Sequence, residues 1–134
     1  MSAAADLLRQ RPPAPRDGNR EARIQAEIVW WLREAVPDAI VYAVPNDGLF
    51  SKREAARRRW IGVLAGIPDV AIIDGQGRPA FLEVKAPGRY PEPEQRACLQ
   101  RLSAAGVRCA VARSLDEAKA IAARWGLVDL ENAA

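Results

Sequence analysis

Apolar positions between residues 20 and 35 fall on one helical stripe, Ile24, Ile28, Trp31 and Leu32, and Pro37 stops the helix that they predict. Residues 39–44 are rich in β-branched side chains and read as a strand, closed by Pro45-Asn46-Asp47-Gly48. Ser51-Lys52-Arg53-Glu54 is a capping box, which predicts a short helix to about Trp60, followed by a loop over 62–68. Residues 69–73 and 79–85 are apolar runs flanking Asp74-Gly75-Gln76-Gly77-Arg78, the pattern of a β-hairpin. A Pro/Gly-rich loop over 86–91 leads into a helix starting near Pro93, with the stripe Cys98, Leu99, Leu102 and Ala105, and Gly106 ends it. Residues 107–112 form another strand. Ser114-Leu115-Asp116-Glu117 opens a last helix whose inner face is Leu115, Ala118, Ile121, Ala122 and Trp125, capped by Gly126. The order α-β-α-β-β-α-β-α predicts an α/β fold, a mixed sheet of about four strands flanked by helices. No internal repeat is visible. Residues 1–19, with Pro12, Pro13, Pro15 and Gly18, read as a flexible arm carrying a short helical piece at 3–9. Residues 20–126 are the expected domain and 127–134 a tail.

Composition narrows the chemistry. The 134 residues suit one domain, and 49% apolar with 28% charged is a globular balance. No apolar run approaches the ~20 residues that span a bilayer, and residues 1–10 lack the layout of a signal peptide, so a cytoplasmic protein without membrane partners is expected. There is no histidine, which excludes Ser-His-Asp triads and His-ligated metal sites. Cys98 and Cys109 are expected as buried free thiols. Any catalysis must therefore use carboxylates, lysine, hydroxyls or a metal held by oxygen. The net charge of +3 is a weak pointer to a polyanionic partner.

The hairpin carries the most informative feature. With Gly75-Gln76-Gly77 as a three-residue loop, Asp74 pairs with Arg78 and paired positions sum to 152, which sets Asp69 opposite Glu83. Directly opposed residues have Cβ atoms about 4.5–5.5 Å apart. Two carboxylates there repel by about 3 kcal/mol at an effective dielectric of about 20. A hard divalent cation bound by oxygens is the natural relief. Alternation sends Lys85 to the same side as Glu83. Two carboxylates and an ammonium are a working set for phosphodiester hydrolysis, in which a metal polarises the phosphate and the lysine positions or deprotonates water, or neutralises transition-state charge. Glu21 and Gln25 lie in line with Ile24, Ile28 and Leu32, and Gln95 starts the stripe of its own helix. Polar groups on such stripes need partners, either the backbone or a site. Glu27 falls on the opposite face.

Pro68-Asp69, thirteen residues, then Glu83-Val84-Lys85 resembles the PD-(D/E)xK signature of the restriction-endonuclease-like superfamily. The wider run of Glu21-x-x-Ile24-Gln25, Pro45-Asn46-Asp47-Gly48, Gly66-Ile67-Pro68-Asp69, Glu83-Val84-Lys85, Gly88-Arg89 and Glu94-Gln95 resembles the virus-type replication-repair nuclease (VRR-NUC) domain over about residues 20–125. The resemblance implies a restriction-endonuclease-like core and a Mg²⁺- or Mn²⁺-dependent DNA endonuclease. Asp69, Glu83 and the Val84 carbonyl would bind metal, and Glu21 would do so directly or through water. Lys85 would be the catalytic lysine, and Gln95 would orient the site. The helix bearing Gln95 begins Pro91-Glu92-Pro93 rather than with the Ser or Thr cap common in the family. Stand-alone members are dimeric junction-cleaving enzymes, which implies a homodimer acting on branched DNA such as four-way (Holliday) junctions. The alternative class is a non-catalytic nucleic-acid-binding module on the same fold, against which the intact Asp69, Glu83 and Lys85 argue.

Lys52, Arg53, Arg57, Arg58 and Arg59 set five positive charges against Glu54 within eight residues, a helix suited to phosphates. Asn46 and Arg89 join them as expected DNA contacts. Trp30 and Trp31 are adjacent and cannot both face one core, so one marks either a partner surface or an ordinary rim; their helix is the expected dimer interface.

Overall fold

A computed structural model describes residues 10–16, 18–45, 49–129 and 131. Among the described residues, four helices and four strands follow one another in the expected order. Helix α1 (Arg20–Ala35) starts where the Asn19 side chain accepts the Ala22 N–H at 2.7 Å, and it buries Ile28, Val29 and Leu32. Strand β1 (Ile40–Ala43) follows, then α2 (Lys52–Trp60), capped by Ser51, whose hydroxyl accepts the Glu54 N–H at 3.1 Å. Strands β2 (Val70–Ile73) and β3 (Pro79–Val84) form the hairpin. Helix α3 (Pro93–Ala104), β4 (Arg108–Ala112) and α4 (Leu115–Arg124) follow. The expected helical piece at 3–9 lies outside the described residues, as do Asn46 and half of the tail.

The sheet order is β1-β2-β3-β4, with β1-β2-β3 antiparallel and β4 parallel to β3. The β2–β3 register runs from Val70 opposite Leu82 to Ile73 opposite Pro79, every pair summing to 152 as the loop length predicts. The turn closes because Asp74 Oδ1 accepts the N–H groups of Gln76 and Arg78, both at 2.9 Å, while Gly77 takes φ +79°. Asp74 is also held from β4, where Arg108 donates to Oδ2 at 2.8 Å. These contacts, the Arg78 N–H foremost, lower its pKa from 3.8 to about 2 against the opposing effect of burial.

Alternation sorts the sheet's two faces. Val41, Val70, Ile72, Ala80, Leu82, Val84 and Ala112 meet the apolar sides of α1 and α4 in one core. Phe81, Glu83 and Cys109 face the other way, where the Cys109 thiol donates to the Leu99 carbonyl at 3.3 Å and so places α3 on that side. Both cysteines are free and half-buried rather than fully buried. Burial foremost raises both thiol pKa values, with Glu83 adding to the effect at Cys98 against Arg101. At the sheet edge, Arg33 forks its Nε and Nη2 onto the Val41 carbonyl at 3.1 and 3.0 Å, occupying an acceptor that an edge strand otherwise leaves open. Among the described residues no helix is long and apolar enough to cross a membrane.

Candidate active site at the end of the hairpin

The register that starts at the Asp74 turn brings Asp69 and Glu83 to facing positions just beyond Val70 and Leu82. Both are buried, Asp69 at 7% exposure and Glu83 at 1%. Asp69 closes the end of the sheet twice. Its carbonyl accepts the Val44 N–H at 2.8 Å, and its Oδ2 accepts the Val84 N–H at 2.8 Å. The carboxylate is thus tied to the backbone between Glu83 and Lys85. Lys85 extends from the same side as Glu83, with Nζ 4.0 Å from Glu83 Oε1 and a side chain only 11% exposed. Its own N–H donates to the Ala112 carbonyl at 3.1 Å, so β4 fixes where the lysine leaves the sheet.

Gln95 is held at both ends of its amide. Its Oε1 accepts the Glu92 N–H at 2.7 Å, closing the first turn of α3, and its Nε2 donates to Glu83 Oε1 at 3.0 Å. This explains how a helix without a Ser or Thr cap still begins at Pro93: the residue that addresses the site also caps the helix. The loop bearing Asp69 is set against the same turn. Gly66 has φ +85°, and a Cβ there would lie 2.5 Å from the Glu94 carbonyl oxygen. Only glycine allows this approach, which brings the Asp69 loop and the Gln95 helix together around Glu83.

Asp69 lines two clefts. One, of about 730 Å³, runs between α1 and the loop after β3, with Glu21, Gln25, Trp30, Arg33 and Arg89 on its walls. The other, of about 360 Å³, runs between α2 and the start of α3, past Phe50, Arg58, Arg59, Gly66 and Gln95. Among the described residues no group of three or more Asp, Glu, Cys or His side chains is gathered to hold an ion. Asp69 and Glu83 are therefore a pair, with Glu21 on the wall of the first cleft. The pair's chemistry fits a hard cation. Mg²⁺ is commonly held by one or two carboxylates, with water and substrate phosphate completing its shell, and carboxylate and carbonyl oxygens suit Mg²⁺ and Mn²⁺.

The expected DNA contacts divide. Lys52, Arg53, Arg57 and Arg59 are exposed on α2, and Arg89 is exposed in the first cleft. Arg58 is half-buried, stacked over Phe50 at 3.8 Å and 3.6 Å from Glu54. Glu27 is exposed, on the face expected. Both tryptophans are half-buried: Trp31 packs against the core, while Trp30 lines the first cleft under Arg33 at 4.7 Å. The roles of Gly66 and Arg33 rest on contacts between distant segments. Their only sequence signals are a glycine just before Ile67-Pro68-Asp69 and an arginine in the last turn of α1.

Comparison with known proteins agrees with this fold. The profile of the VRR-NUC domain matches residues 9–116. A solved structure described as a VRR_NUC domain superposes with a TM-score of 0.58 at 22% identity, covering 78% of this chain and 95% of its own. A second, a VRR_NUC domain protein, gives 0.63 at 23% identity, covering 85% and 92%. At this identity the likeness shows the fold. Among curated proteins nothing matches. With the family profile spanning most of the chain, from the arm into α4, the protein belongs to the VRR-NUC family, a nuclease-type domain.

Proposed function

We propose that the protein is a metal-dependent, structure-specific DNA endonuclease that hydrolyses phosphodiester bonds in branched DNA such as four-way junctions. The observation that carries the reading is the buried Asp69–Glu83 pair at the end of the hairpin, with the Lys85 ammonium 4.0 Å from Glu83. Asp69, Glu83 and the Val84 carbonyl would hold Mg²⁺ or Mn²⁺, with Glu21 reaching it directly or through water. When bound, the ion supplies charge neutralisation at the phosphate and eases deprotonation of the attacking water. Lys85 keeps a cation beside the reacting phosphate, where it orients that water and offsets charge that builds in the transition state. Gln95 is a positioning residue: it holds one Glu83 oxygen, which fixes the orientation of the carboxylate that would hold the metal. The two clefts meeting at Asp69 offer a path for a strand between Arg89 on one side and Arg59 on the other.

One 134-residue chain with one such site makes one cut, whereas a four-way junction needs paired cuts on two strands. A C2 homodimer supplies them. The proposed interface is the surface of α1 around Trp30 and Trp31. The division proposed for the chain is an arm at 1–19, the nuclease domain at 20–126 and a tail at 127–134. The test is a cleavage panel of duplex, flap, single-stranded and four-way DNA in Mg²⁺ or Mn²⁺, beside sedimentation with and without junction DNA. Metal-dependent cutting that favours the junction, by a dimer, is expected. No cleavage of any DNA would overturn the enzyme reading, and a monomer in both conditions would overturn the paired-cut reading.

A further inference from the structure

Helix α2 buries none of its residues. A surface helix of a globular protein ordinarily turns an apolar stripe to the core. This one is held by local terms: the Ser51 cap, Glu54 in its first turn, and Arg57, Arg58 and Arg59 in its last turn, where cations suit the helix dipole. Its inner side, with Ala55, Arg58 and Arg59, lines the cleft that reaches Asp69. Its outer side presents Arg53, Arg57 and Trp60 at i, i+4 and i+7, all exposed, with Trp60 86% exposed. Ile61 and Leu64 just beyond are 53% and 58% exposed. The outer side is thus cationic along its stem and apolar at its tip.

Charge decides what such a surface suits. A symmetric contact between two copies of α2 would set five positive and one negative charge against the same set. A polyanion that also offers apolar surface is complementary at both ends. DNA with unpaired bases is that ligand: phosphates meet the arginines, and an unstacked base meets the indole. A closed duplex has the phosphates but hides its base faces.

We infer that the outer side of α2 is a binding site for unpaired nucleotides, with Arg53 and Arg57 on phosphates and the Trp60 ring stacked on a base. The inference rests on the nuclease reading and deepens it: what is recognised in a branched substrate is a base face exposed at the branch, where stacking is interrupted, rather than the stacked arms. Binding titrations in EDTA compare the wild type, Trp60→Ala, Trp60→Phe and Arg57→Ala on a labelled oligothymidylate strand and on a closed duplex at equal salt. Trp60→Ala loses roughly tenfold on the strand and less than about twofold on the duplex, and Trp60→Phe keeps most of the affinity. Arg57→Ala weakens both and lowers the salt slope on the strand by roughly 0.7. Because Trp60 is exposed, its variants keep the wild-type melting temperature, which serves as the folding control.

Equal losses of Trp60→Ala on strand and duplex, or no loss on the strand, overturn the inference. So does Trp60→Ala that binds the strand normally but sediments more slowly than the wild type, which assigns the tip to contact between copies. A wild type that cuts DNA in Mg²⁺ while Trp60→Ala binds the strand normally overturns this inference alone. A wild type that leaves every DNA intact overturns the nuclease reading instead.

Discussion

Replacing Gly66 by alanine tests how the site is assembled. The new Cβ would lie 2.5 Å from the Glu94 carbonyl oxygen, 2.6 Å from its carbon and 2.9 Å from the Gln95 nitrogen. All three are backbone atoms, so no side-chain rotation relieves the clash. Two costs add. An L-residue at φ +85° costs about 1–2 kcal/mol, and forcing atoms into a filled space costs about 1–3 kcal/mol. The sum is about 2–5 kcal/mol, a melting-temperature loss of roughly 8–20 °C for a chain of this size. Gly88 is the internal control: it has φ +81° but nothing within 4 Å of its would-be Cβ, so Gly88→Ala bears only the first cost, roughly 4–8 °C. Calorimetric melts of the two variants beside the wild type separate crowding from backbone strain. Below its melting point Gly66→Ala also cuts DNA more slowly, because the displaced first turn of α3 carries Gln95 away from Glu83. A Gly66→Ala protein that melts with or above Gly88→Ala refutes the close approach as the device that joins loop to helix.

Lys85→Ala loses cleavage by roughly two to three orders of magnitude while DNA binding persists, and Lys85→Arg does not restore it, because the larger, planar guanidinium cannot take the place of the compact ammonium 4.0 Å from Glu83 that orients the water; single-turnover rates beside binding titrations check this, and an active arginine variant contradicts it. Gln95→Ala lowers kcat roughly 10–100-fold with KM for DNA little changed, as expected of a residue acting through Glu83; a loss confined to KM contradicts the positioning role. Asp74 has a folded pKa of about 2 against an ordinary 3.8, so the stability it contributes is present above about pH 3.8 and lost as pH falls toward 2. Asp74→Asn therefore melts lower at neutral pH and has a flatter acid limb between those values; an unchanged acid limb contradicts it.

The hairpin was legible because its chemistry is local. The Asp74 turn sets the loop length, loop length sets register, and register sets Asp69 against Glu83. The caps at Ser51 and Ser114 and the positive-φ glycines at Gly106 and Gly126 likewise mark helix ends within a few residues. Other features depend on segments far apart in the chain. Arg108 meets Asp74 across 34 residues, Gln95 meets Glu83 from the next helix, and Gly66 touches Glu94. No periodicity reports such contacts. The unburied α2 lies between these cases: five of its nine residues are basic, which identifies a charged helix, but only the fold shows that no residue of it is buried.

The central claim is that the Asp69–Glu83 pair makes the nuclease site. Its most direct measurement is the single-turnover rate in Mg²⁺, on the DNA that the wild type cuts fastest, for the wild type and for Glu83→Gln. Glutamine keeps the shape and an oxygen for the Gln95 amide but removes the charge that would hold the metal. The account predicts a rate lower by roughly a thousandfold with no fall in melting temperature, and no cutting by the wild type in excess EDTA. Full activity in Glu83→Gln, or cutting by the wild type in EDTA, would contradict it.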